Sequence, residues 1–303
     1  MTPLLEDLLV PRTPLVTSLQ TLTQELETLR ARFDTPFDRA VAAGARSDRL
    51  AYAFAAGYQA ALDRLLGPTD VGFRSLCVTE VGGGHPRAIE SRLVQDHAGV
   101  WRLTGTKRWA SFGSVAEELF VVASEGLEDS GKKRLRVVRV RKGSQGLTVT
   151  PMAQTPFIPE IPHAELTLDN VQGTPLEGDG YLGYVKPFRT LEDIHVLGAT
   201  LGYGFGASRR AACARRFLED GLGLLLGFRG LAEQPPLAPE GHLALAGLFR
   251  RAQTWLGDAR WGSQEESARW ERDQTLLGVA NRARGERLET AWRQLGAKDS
   301  LVR

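Results

Sequence analysis

Cysteine is nearly absent from this chain: Cys77 and Cys213 are the only two in 303 residues, far apart and without Cys-x-x-Cys or Cys/His ligand spacing. That argues against a disulfide framework and gives no reason to expect a metal site. Long hydrophobic runs are missing as well. No stretch approaches about 18 uninterrupted apolar residues, and Met1-Thr2-Pro3 opens without a basic segment, so neither a membrane span nor a signal peptide is expected. The expected compartment is a reducing cytoplasm. An excess of charge of one sign is lacking too: 38 basic residues meet 36 acidic ones for a net charge of +2, so charge alone makes no case for nucleic acid. Pairs such as Arg209-Arg210, Arg215-Arg216 and Arg250-Arg251 read as solvated helix faces. No repeat of fixed period is visible.

What is present is an ordinary globular balance, 42% hydrophobic and 24% charged, in a chain long enough for two or three sub-domains. Leu15, Leu19, Leu22, Leu26, Leu29 and Phe33 recur in steps of four and three and predict an amphipathic helix. Asp34-Thr35-Pro36 interrupts it, and a second helix is expected from about Asp48 to Leu66, ending at Gly67-Pro68. From Phe73 to Val171 the period falls to two, with β-rich runs at Arg74–Glu80, Ile89–Asp96, Val100–Thr106, Leu119–Ser124, Leu135–Lys142, Leu147–Met152 and Ala164–Val171. Helical patterning returns from about Arg189 to Asp220, Glu240 to Trp261 and Gln264 to Gln294, with Gly227–Pro239 read as a break. The expectation is an α+β multi-domain chain: a short N-terminal helical unit (1–70), an antiparallel β-barrel-like middle domain (71–178) and a C-terminal helical bundle (179–303).

Two segments carry the chemistry. Cys77-Val78-Thr79-Glu80-Val81-Gly82-Gly83-Gly84 puts a glycine turn after a strand end, where backbone N–H groups can approach a polar ligand unobstructed. Leu103-Thr104-Gly105-Thr106-Lys107-Arg108-Trp109-Ala110-Ser111-Phe112-Gly113 carries a flat aromatic two residues before a hydroxyl. Without a ligand, the first is a glycine-rich hairpin, Trp109 a core aromatic and Ser111 a turn residue.

Together, in this order and with the strand Ala164–Val171, these segments resemble the flavin-holding core of acyl-CoA dehydrogenases, and the resemblance runs from about Leu76 to Gly296. It implies that fold, FAD as cofactor, and an acyl thioester as substrate. It also implies an electron-accepting flavoprotein as partner and assembly through the bundle into a homodimer or homotetramer. Cys77, Val78, Thr79 and Gly84 would lie along the flavin, Trp109 on its ring and Ser111 at N5. His85 stands where the family has Ser, with Pro86 after it, and would face substrate together with Thr190 and Asp193. Asp193 replaces the family's Arg, Thr190 its frequent Asp, and Phe112 its usual Asn. The α-proton of a thioester needs a carboxylate base. Arg189-Thr190-Leu191-Glu192-Asp193 aligns with the isovaleryl-type branch and puts Glu192 at that position; equally, Glu192 reads as an acidic residue favoured near a helix N-terminus.

The family's Arg-x-x-Phe-Gly segment is matched only by Gly227-Phe228-Arg229-Gly230-Leu231, and its terminal Gln-x-x-Gly-Gly turn only by Arg293 and Gly296-Ala297. Arg229 or Arg293 would meet a diphosphate, or else be an exposed arginine. His195 shares a helix face with Glu192 and reads as a pocket or core histidine; His97, His163 and His242 suggest nothing. Three functions follow: a FAD-dependent dehydrogenase of acyl thioesters, a flavoprotein with oxidase- or monooxygenase-like chemistry, or a non-catalytic scaffold relative.

Overall fold

The computed structural model describes residues 3–10, 13–70 and 72–296. Ala297, where the terminal turn was expected to end, lies outside them. The chain divides into two compact units, one made of Met1–Arg64, Pro156–Ile158 and Thr190–Arg303, the other of Leu65–Thr155 and Pro159–Arg189.

The first unit is helical: α1 (Pro3–Leu9), α2 (Leu19–Arg30), α3 (Pro36–Ala45) and α4 (Leu50–Leu66), then α5 (Lys186–Arg210), α6 (Arg215–Ala232), α7 (Pro239–Gly257), α8 (Gln264–Asp273), α9 (Leu276–Val279) and α10 (Asn281–Gln294). The helix expected from Leu15 begins only at Leu19, because Ser18 caps it. The Ser18 hydroxyl accepts from Thr21 N, and the Thr21 hydroxyl accepts from the Ser18 backbone. Thr35-Pro36 breaks the pattern for the same kind of reason: Thr35 is the N-cap of α3 and Pro36 occupies the first turn, where its missing N–H costs nothing. The helix expected from Arg189 to Asp220 is two, parted at Ala212, whose φ is +52°. The proposed break at Gly227 is instead helical, and Gly227, Phe228 and Arg229 lie within α6.

The first-unit helices approach each other through glycine. On α5, Gly198, Gly202 and Gly206 recur every four residues, and a methyl group there would run into the Phe37 ring, the Val41 carbonyl and the Ala45 carbonyl, themselves four apart on α3. Gly44 meets the Ala199 carbonyl from the other side. Two backbones can run this close only where side chains are missing.

The second unit is a curled eight-stranded sheet: β1 (Arg74–Cys77), β2 (Arg92–Gln95), β3 (Trp101–Ser111), β4 (Glu118–Leu127), β5 (Lys133–Arg141), β6 (Leu147–Pro151), β7 (His163–Gln172) and β8 (Thr174–Pro175), in the order β6-β7-β3-β2-β4-β5-β8 with β1 on β4. Most pairs are antiparallel as expected; β4 pairs parallel with β1 and β2. Alternate residues of these strands point inward, among them Cys77, Leu103, Val121, Val138 and Leu166, to form one apolar core. Among the described residues no helix is long and apolar enough to cross a membrane, and no cluster of metal-binding side chains occurs.

Candidate active site

The two chemistry-bearing segments meet inside the β-unit. Arg108 N donates to Thr79 O at 2.8 Å, so the strand end β3 lies alongside the turn that follows β1. A buried ion pair fastens the contact: Lys107, with no exposed surface, reaches Glu80 at 2.5 Å and the Val78 carbonyl at 3.3 Å. Glu80 also accepts from Glu90 N, Ser91 N and the Ser91 hydroxyl, which occupies both of its oxygens. Burial opposes the charge on Glu80, but Lys107 and these hydrogen bonds outweigh it and hold the carboxyl below its ordinary value. Burial pulls the Lys107 ammonium down from its usual range against the attraction of Glu80. Such a pair is costly to break, because either partner left alone is a buried charge. It therefore fixes the turn at Thr79–Gly84 relative to the strand end.

The turn itself closes by reciprocal backbone bonds between Glu80 and Gly83, whose φ of +100° only glycine adopts readily. Arg189 donates to the Gly84 carbonyl at 3.1 Å, and Gly84 lies against Thr79 and Val78. Cys77 turns its thiol into the core, where burial raises it to about 11, so only its backbone faces the turn. His85 is exposed and caps a short 3-10 turn, its Nδ1 accepting from Arg87 N.

At the other side, β3 bulges between Lys107 and Ala110. Trp109 sits in the bulge with φ +56° and is 49% exposed, and Phe112 follows with φ +64°. Left-handed backbone at a bulky aromatic stores about 1–3 kcal/mol and concentrates at functional sites. Phe112 is fully buried, stacked on Phe73 at 5.3 Å, so an aromatic contact takes the place of polar satisfaction in this turn. Trp109 has no such burial. Among the described residues its ring meets the edge of His163, at 5.9 Å, and its backbone N–H donates to Met152 Sδ at 3.4 Å. Ser111 pairs in register with His163 at the strand end. Among the described residues neither the Ser111 nor the Thr79 hydroxyl has a hydrogen-bond partner.

His163 was set aside in the sequence, yet it stands between Trp109 and Ser111. Burial lowers its pKa against a hydrogen bond to the Ile161 backbone, and among the described residues its Nδ1 has no partner. Its signal was its place as the first residue of the strand before Ala164.

A family model described as acyl-CoA dehydrogenase, middle domain, matches residues 75–171, the span that holds both segments. That span is similar to the acyl-CoA dehydrogenase middle domain. Its architecture agrees with theirs: butyryl-CoA dehydrogenase from Megasphaera elsdenii superposes with a TM-score of 0.64 at 15% identity, covering 90% of this chain and 88% of that one. The prolyl acyl carrier protein oxidase AnaB gives 0.58 at 14% identity over 91% and 85%. PigA, solved with FAD and proline, gives 0.60 at 14% identity over 93% and 90%. No curated protein sequence matches. The acyl-CoA dehydrogenase fold expected from the two segments is thus the fold observed.

The other candidate residues belong to the helical unit. Helix α5 begins at Lys186 after a π-turn at Tyr181–Val185, so Glu192 falls in its second turn and the first turn holds no acid. The helix-end reading of Glu192 loses its footing there. Thr190 is buried with an unpartnered hydroxyl. Asp193 is buried and gripped by Arg284, at 2.8 Å, and by Arg287. Burial pushes its carboxyl up from the ordinary value, against the pull of the two guanidinium groups. His195 is a core residue, its Nδ1 bonded to the Leu191 carbonyl at 2.7 Å and its pKa brought down to about 4 by burial. Arg229 forks onto Asp38 at 2.7 and 2.9 Å and is committed to that pair. Arg293 lies on the exposed face of α10, bonded to Glu289 and Thr290.

Proposed function

We propose that this chain is a FAD-dependent oxidoreductase that removes α and β hydrogens from an acyl thioester. The observation that carries the reading is the Glu80–Lys107 clamp, which sets two unpartnered hydroxyls and a half-exposed, left-handed Trp109 beside one turn. These groups fit a flavin: a flat apolar face for the ring, hydroxyls for its polar edge, and a glycine turn that lets backbone come close. When bound, FAD supplies the hydride acceptor for the β-carbon. Trp109 stacks and excludes water, and Ser111 and Thr79 orient the ring by hydrogen bonds, with Val78, Gly84 and the Cys77 backbone completing the wall. Glu192 takes the α-proton and His85 and Thr190 contact the substrate, assignments that rest on the resemblance. The working form is a homo-oligomer in the cytoplasm, handing electrons to another flavoprotein.

A second reading, an oxidase acting on a carrier-bound or amino-acid-derived substrate, draws on Asp193. Its carboxylate is spent on Arg284 and Arg287 instead of serving a CoA ester, and similar folds include a carrier-protein oxidase.

The visible absorption spectrum decides between them. A yellow protein that bleaches anaerobically with a short branched acyl-CoA supports the dehydrogenase. A yellow protein that stays oxidised with acyl-CoA favours the oxidase. A colourless protein that FAD cannot reconstitute sinks both readings and leaves a scaffold. Trp109→Gly, which relieves the left-handed strain, is expected to fold at least as well and to lose flavin affinity roughly tenfold. Unchanged affinity in that variant removes Trp109 from the ring.

A further inference from the structure

At the opposite end of β3 from Trp109 the β-unit holds a cavity of about 960 Å³, and nothing in the flavin reading uses it. Seven residues of extended chain separate Arg102 from Trp109, a span of about 20 Å at roughly 3.3 Å per residue. Its walls carry Arg102, Arg139 and Arg141 against one carboxylate, Asp169, with Asn170 and Gln172 between them and no aromatic or aliphatic side chain.

The register assembles this chemistry. Arg139 and Arg141 alternate along β5 and so share one face of the sheet. Arg102 pairs with Gln172, and Arg139 with Thr174, which draws β3, β5 and the β7–β8 connection to a single mouth. The rim is set by backbone: Asp169 N donates to the Gly146 carbonyl, and Gly146 and Asn170 both take left-handed φ, +82° and +54°. Asparagine and glycine are the residues that tolerate that conformation.

The guanidinium groups are under-employed. Among the described residues Arg102 gives only its Nε to Asp96, at 3.0 Å, and Arg139 has only Glu118, at 3.8 Å. Arg141 makes no side-chain ion pair or hydrogen bond among the described residues. Two of these neighbouring cations are engaged by a single acid each and the third by none among the described residues, which leaves donors for an anion whose oxygens accept from planar forks, above all a phosphate. The absence of aromatic or aliphatic walls argues against a ligand that needs stacking or apolar burial. Asp169 disfavours a bare anion and suits hydroxyl donors next to one.

We propose that this cavity binds a small hydrophilic phosphate ester, a sugar phosphate or the ribose-phosphate part of a larger cofactor. Arg102, Arg139 and Arg141 hold the phosphate, and Asp169 accepts from the hydroxyls.

The test is calorimetric titration of the full chain at low ionic strength with ribose 5-phosphate, inorganic phosphate and ribose as probes. Ribose 5-phosphate is expected to bind more tightly than either of the others. Arg141→Gln, at an exposed position whose loss does not threaten the fold, is expected to weaken it about tenfold. Asp169→Asn is expected to abolish the preference for the ester and to tighten inorganic phosphate. No binding of either anion, or an affinity that Arg141→Gln leaves unchanged, overturns the site. Equal affinity for ester and inorganic phosphate overturns the ligand class. None of these readouts depends on flavin or turnover, so the outcome is independent of the proposed reaction.

Discussion

In the helical unit the tightest approaches are made by residues with no side chain; in the β-unit the decisive contact is made by two opposite charges. Gly198, Gly202 and Gly206 let α5 lie on the backbone of α3, a solution that involves no charged side chain and no strained φ. The β-unit buries Lys107 and Glu80 and holds Trp109 and Phe112 in left-handed backbone within a few residues of each other. Apolar close packing stabilises without pointing anything at solvent. A buried pair surrounded by strain positions groups that the fold itself does not need, and this contrast separates scaffold from site.

The comparison breaks most visibly at the charge pair. Lys107→Met leaves Glu80 buried without its counter-charge, and denaturant titration is expected to show a loss of about 3–5 kcal/mol. Adding Glu80→Gln should restore a large part of it. If Lys107→Met is tolerated at under about 1 kcal/mol, the pair is not the clamp. In the helical unit, Gly202→Ala drives a methyl into the Val41 carbonyl, and the same titration should show a loss of about 2–3 kcal/mol. Gly223, which nothing approaches, provides the control on α6; alanine there should be neutral or slightly stabilising.

Acid sharpens the contrast with a smaller, graded effect. His195 titrates at about 4 when folded, below the ordinary 6.5. Between those values the unfolded chain takes up a proton that the folded chain refuses. Stability should therefore fall by about 1.4 kcal/mol for each unit of pH lost in that window, and be fully present above it. His195→Gln should flatten this slope; a slope that persists assigns it to other groups.

Most of the fold was legible because period and punctuation agreed. All seven expected strands exist, and Gly67 ends α4 where the Gly67-Pro68 signal placed it. What was missed lay where a breaker also serves as a start signal: Thr35-Pro36 reads as an interruption of one helix and in fact caps the next. The α5 glycines were equally visible as Gly198, Gly202 and Gly206, but their spacing means nothing until the facing helix is known. At the candidate site, Thr79, Trp109 and Ser111 could be picked out from their motifs, whereas the pairing of Glu80 with Lys107 could not, since 27 residues separate them. Burial decides the rest: nothing in the local sequence tells that Asp193 is held by arginines 91 and 94 residues away, or that His195 is sealed in the core.

The helical unit is assembled from three stretches of chain, with Pro156–Ile158 as the middle one, and Ile158 N donates to Asp273. Its partnerships span long intervals; Arg269 bonds Asp48 across 221 positions. The sheet's strands and its core lie between residues 65 and 189. During synthesis, therefore, the sheet has all its strands while the last helices are not yet made, and the Phe37–Val41–Ala45 face of α3 waits for the glycines of α5 before it is covered. The N-terminal helices begin the chain but are among the last parts to find their final neighbours.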